Sequence, residues 1–105
     1  MINNDNRLQA SITLQQEKFV VSGDLNFSNI PVIYEKGLRE FNHHQQLLLD
    51  FSEVRSSNSA GLALIIEWLR YARKNNIKIS FDNLPHQWLT IAKTSGIVEI
   101  LQKNF

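Results

Sequence analysis

The hydroxyl-rich stretch from Ser52 to Ser59 holds the residues of this chain best placed to do chemistry. Ser52, Ser56, Ser57 and Ser59 lie between an apolar run, Leu47-Leu48-Leu49, and the segment Asn58-Ser59-Ala60-Gly61-Leu62, where a helix opens. The apolar run reads as a strand stopping near Asp50, and the serines as a polar loop. A hydroxyl in the first turn of a helix stands beside unpaired backbone N–H groups and the positive end of the helix dipole. It can hydrogen-bond a partner or carry a phosphate. Arg55, in the same loop, can pair with Glu53 or with an acid of a partner.

Other chemistries find little support. His43 and His44 are adjacent, so on a regular element they point apart and cannot chelate one ion together. Asp24, Asp50, Glu53 and Asp82 fall near strand ends, where turn and cap roles account for them. Cysteine is absent, which removes disulfides, thiolate metal sites and thiol nucleophiles. The phosphate-cradling, nucleophile-elbow, zinc-protease and dinucleotide-binding motifs are all missing. The expectation is a non-enzyme without cofactor or metal. With 11 basic and 10 acidic residues interleaved and a net charge of +1, nucleic-acid binding has no electrostatic basis.

The chain of 105 residues suits one domain, with residues 1–6 as a flexible start. No run reaches the roughly 20 apolar residues of a membrane span, and the N-terminus does not read as a signal peptide. A cytoplasmic protein that meets a membrane only through partners is the expectation. Asn26-Phe27-Ser28 then matches the glycosylation sequon by accident of composition.

Alternation of Leu8, Ala10, Ile12 and Leu14 predicts a strand over 8–14. A second strand over 17–22 completes a hairpin and ends at Gly23-Asp24. Ile30, Ile33, Tyr34, Leu38 and Phe41 share one face of a helix over 28–41, capped by Ser28 or Asn29, with Pro31 in its first turn. Gly37 costs the middle of that helix about 1 kcal/mol of propensity. The third strand, 46–51, is continuously apolar and reads as a central strand covered on both faces. A helix over 59–74, a strand over 77–81 and a helix from Pro85 to Gly96 follow, then a short helix over 97–101. The fold class is α/β, a mixed four-stranded sheet of one antiparallel hairpin and parallel crossovers with helices packed against it.

On the helix over 59–74, Leu62, Ile65, Ile66, Leu69 and Ala72 form the core face, and Glu67, Arg70 and Lys74 the solvated one. Leu64, Trp68 and Tyr71 make a further apolar stripe. Either it packs against a neighbouring helix, or it joins Ser59 in a docking surface, as Trp and Tyr often do.

Together the opening hairpin, Ser22-Gly23-Asp24-Leu25, the strand ending in Asp50, and Asn58-Ser59-Ala60-Gly61-Leu62 resemble the STAS-domain family, the fold of anti-sigma-factor antagonists. Within it, Gly61-Leu62-Ala63-Leu64 and Leu89-Thr90-Ile91-Ala92-Lys93 look like the small cytoplasmic subunit of a Gram-negative phospholipid ABC transporter. The resemblance implies a non-catalytic subunit that binds the ATPase, itself in complex with a permease, and contacts no lipid. Docking would use Arg55, Ser56, Ser57, Asn58, Ser59, Ala60 and Gly61, with Leu64, Trp68 and Tyr71 beside them. Ser59 holds the family's Ser/Thr position, phosphorylated in the sigma-regulating branch. The alternative is therefore an anti-sigma-factor antagonist, phosphorylated at Ser59 by a partner serine kinase. Asn58 replaces the usual Asp; it still caps the helix but removes a charge a partner arginine could meet.

Overall fold

The computed structural model describes residues 10–95. Strand β1 (Ser11–Gln15) turns through Gln16-Glu17 into β2 (Lys18–Leu25). Gln16 takes the left-handed conformation, φ 58°, that a two-residue hairpin turn requires. Helix α1 (Ile30–Phe41), β3 (Gln46–Ser57), α2 (Ser59–Lys74), β4 (Lys78–Asp82) and α3 (His86–Ser95) follow. The sheet order is β1-β2-β3-β4, antiparallel between the first two and parallel thereafter. The mixed sheet and its crossovers are as the hydrophobic periods foretell. The expected close of α3 at Gly96 and the short helix over 97–101 lie outside the described residues, as does Leu8 of the first strand.

One core joins the elements. Ile12, Phe19, Val21, Leu25, Leu47, Leu49, Phe51, Ile79 and Phe81 cover one sheet face, and the three described helices pack their apolar sides on it. Two right-handed crossovers in the same direction place α1 and α2 on that common face. β3 is central, as its apolar run suggests, but these helices cover only one side of it. Its alternate residues, half-buried Leu48 and buried Asp50, face the other way.

β3 is also twice as long as expected, and the serine loop through Ser57 is strand. β4 pairs only with Gln46–Asp50, whereas β2 continues beside β3 as far as Leu25 opposite Ser57. Beyond Asp50 the strand therefore has, among the described residues, a paired strand on one edge alone, and its polar side chains face water at little cost. The ladder shifts register twice, and Gly23, φ 91°, supplies the left-handed residue at the second shift. Gly23-Asp24 thus lies inside β2 rather than ending it.

Candidate functional site

Parallel β2, β3 and β4 send all three helix N-termini to one end of the sheet. There the end of β3 enters α2 through Asn58, an extended residue whose Oδ1 accepts the Ala60 N–H at 2.8 Å while its carbonyl accepts from Gly61 at 3.0 Å. Asn can therefore do the capping work of the family's Asp, and α2 has the bounds its periodicity predicts. Ser59, the first helical residue, is exposed, as are Arg55, Ser56 and Asn58, while Ser57 is half-buried. Arg55 reaches Asp24 on β2 at 3.6 Å; its in-sequence neighbour Glu53 is not the partner found.

The end of β3 is held from behind by α3. The Gln87 side-chain amide donates to the Ser57 carbonyl and, at 3.0 Å, to its hydroxyl. Trp88 is fully buried against the first turn of α2, so a Cβ on Gly61 would come within 2.0 Å of its ring. Gly61 is thus required by close approach. Ala60 and Gly61 are buried and support the surface from inside without presenting a side chain to a partner. Neither Gln87 nor Trp88 stands out in the sequence; a glycine in the first turn of a helix was the one signal that something large lies against it.

The aromatic stripe of α2 packs against a neighbouring helix, so Leu64 and Trp68 do not belong to a docking surface. Leu64 is 1% exposed and Trp68 0%. Trp68 lies over Gly37 of α1, makes an edge-on contact with Phe41 at 5.2 Å, and directs its indole N–H to the Tyr34 carbonyl at 3.5 Å. Tyr71 is half-buried against the core. The reason is architectural: α2 is the middle of three helices on one face, so both its flanks need apolar cover.

Among the carboxylates, the register sets Asp50 beside Asp82. Asp50, 5% exposed, accepts from Asn83 Nδ2 and the Ser52 N–H, both at 2.9 Å, and pairs with Lys18 at 3.0 Å. These bonds, led by Asn83, hold its carboxyl well below the usual range despite burial. Asn83 stands in the left-handed region, φ 58°, to reach it. The group is fastened into the structure as an anion. Among the described residues no three histidines, carboxylates or cysteines group to hold a metal, and no helix is long and apolar enough to cross a membrane. His44 packs edge-on against Phe19. An open depression of about 420 Å³ lies between Val54–Ser57 and Pro85–Gln87, next to the α2 entrance. A larger one, about 1130 Å³, opens at the opposite end among Gln16, His43, His44 and Lys78.

A hairpin followed by two parallel crossovers on one face defines a STAS-type fold. The family model described as Mlab, STAS domain, matches residues 8–102, and the chain belongs to that family. Among solved structures it is similar to a chain of the Acinetobacter MlaFEDB complex in an ATP-bound conformation, with a TM-score of 0.75 and 28% identity over 86% of this chain and 95% of that one. It also shares its fold with the unphosphorylated anti-sigma-factor antagonist SpoIIAA, with a TM-score of 0.64 and 14% identity over 86% and 83% of the two chains. No curated protein matches it in sequence.

Proposed function

We propose that this chain is a non-catalytic, MlaB-like subunit of an Mla-type ABC phospholipid transport complex that maintains outer-membrane lipid asymmetry. It binds the MlaF-like ATPase subunit, supports its assembly or activity beside the permease, and reaches the cytoplasmic side of the inner membrane only through these partners. The observation that carries the reading is the likeness, over nearly the whole length of both chains, to a component of a transporter complex. The site fits such work. Exposed Arg55, Ser56, Asn58 and Ser59 stand on backbone fixed by the Asn58 cap, Gln87 and Trp88, so little ordering remains to be done on binding. Tyr71, further along α2, keeps partial exposure and can contribute at the rim.

Co-purification with the ATPase subunit and titration of the Ser59→Arg variant test the reading. Arginine at Ser59 sets bulk and charge at the centre of the contact, and affinity should fall about 100-fold with the fold retained. A folded variant that binds normally would refute it. Ser59 also stands open to a kinase, which supports the phospho-switched antagonist as the second reading. Mass spectrometry of the chain incubated with ATP and a cognate serine kinase would show a phosphate at Ser59 in that case, and an unmodified Ser59 would sink it.

A further inference from the structure

We propose that the partner-binding surface has a second, apolar half on the β2–α1 turn, with Phe27 as its anchor and Val32 at its flank, and that the ATPase subunit covers both halves together. The inference rests on the reading that this subunit meets the first turn of α2.

Among the described residues, the exposed large apolar side chains are Leu14, Phe27 and Val32. Leu14 belongs to the hairpin end. Phe27 and Val32, 69% and 65% exposed, belong to one turn and the helix it opens. A single solvated apolar side chain is ordinary; the way Phe27 is held is not. Asn26 Oδ1 accepts from the Ser28 N–H at 3.0 Å, the Ser28 hydroxyl at 2.6 Å and the Asn29 N–H at 3.1 Å. The Asn26 N–H donates to Asn29 Oδ1 at 3.0 Å, and Asn29 Nδ2 donates to the Asp24 carbonyl at 2.6 Å. Residues on both sides of Phe27 are therefore tied to each other and to the end of β2. The segment matching a glycosylation sequon is an Asx-type turn that props a phenyl ring into water.

The placement makes this turn continuous with the Ser59 site. Leu25, the last residue of β2, is paired with Ser57, the last of β3. Neighbouring strands lie about 4.8 Å apart, so the chain leaves for Phe27 and for Ser59 side by side at one end of the sheet. A fixed aromatic beside hydroxyl and amide groups is the composition of an interface core with a polar rim. It fits a protein offering an apolar cleft next to hydrogen-bonding groups. A lipid surface fits less well, since the turn itself carries Asn26, Ser28 and Asn29 and no cation, and nearby Arg55 is already paired with Asp24.

Titration of the purified ATPase subunit with the full chain and its Phe27→Ser, Val32→Ser, Leu14→Ser and Ser59→Arg variants tests this, each variant first shown to keep the parent's circular dichroism and melting temperature. Phe27→Ser should weaken binding about tenfold or more and Val32→Ser a few-fold, with Leu14→Ser unchanged. Normal binding by Phe27→Ser together with loss by Ser59→Arg overturns this inference and leaves the Ser59 reading standing. Normal binding by both removes both. Unchanged ATPase affinity of Phe27→Ser, accompanied by loss of self-association in sedimentation or of retention on phosphatidylethanolamine–phosphatidylglycerol vesicles, would give the patch to a second copy or to lipid and likewise overturn it.

Discussion

The middle of α2 and the turn before α1 treat an aromatic side chain in opposite ways. Trp68 lies on a helix, in an apolar stripe of a type common at interfaces, and it is buried to the last atom over Gly37 and Phe41. Phe27 lies in a run of asparagines and serine that reads as an ordinary turn, and it is mostly in water. The difference is one of neighbours. A helix flanked by two others turns its apolar flanks to them and leaves a mostly polar side to water, whereas the turn at the end of the sheet leaves Phe27 uncovered by any of the described residues. Position in the architecture, more than residue type, decides which aromatic is available to a partner.

The largest effect is expected from Trp68→Ala. If Trp68 is core, the variant loses about 3–5 kcal/mol in urea unfolding or fails to fold; a loss below about 1 kcal/mol would put the ring back on the surface. Gly61→Ala comes next. The added methyl would meet the buried Trp88 ring, and overpacking of this sort costs about 1–3 kcal/mol, beyond anything returned by helix propensity. Gly37→Ala tests the same logic beneath Trp68. Its Cβ would stand 2.7 Å from the indole, so the variant should be destabilised by about 1 kcal/mol even though alanine favours a helix interior.

Asp50→Asn separates the fastened anion from both aromatics. Removing the carboxylate weakens its bonds to Asn83, Ser52 and Lys18 and should cost about 2 kcal/mol at pH 7. Because the folded-state pKa lies below that of the unfolded chain, this stability is present above about pH 4 and is lost as pH falls below it. The gap between parent and variant should therefore narrow progressively as pH falls below about 4 in unfolding titrations, without closing until the folded-state carboxyl itself protonates. The smallest effect belongs to Phe27→Ser. An exposed ring contributes little to folding, so stability should stay within about 0.5 kcal/mol while partner affinity falls.

Much of this architecture was legible from periodicity. Helix α2 could be bounded at both ends because Asn58 caps it and Asn75-Asn76 end it; Asn76, φ 58°, and the Ile77-to-Ala72 hydrogen bond make a C-terminal cap. The outer half of β3 is not legible in the sequence because a strand paired on one edge needs no apolar residues, so Ser52 to Ser57 looks like loop. Gly37 and Gly61 read as weak helix residues, yet each is the space into which a tryptophan fits, and that pairing is tertiary. The serine at the α2 entrance was visible. Its supports, Gln87 and Trp88, sit about thirty residues away and are brought close only by α3.

If an ATPase subunit docks at the α2 entrance, an arginine in place of Ser59 must disrupt the contact. The dissociation constants of the full chain and of Ser59→Arg for an MlaF-like ATPase subunit, with the melting temperature of each measured alongside, decide this. Docking through Ser59 requires a loss of about 100-fold at an unchanged melting temperature. Equal affinity from an equally stable variant would contradict it.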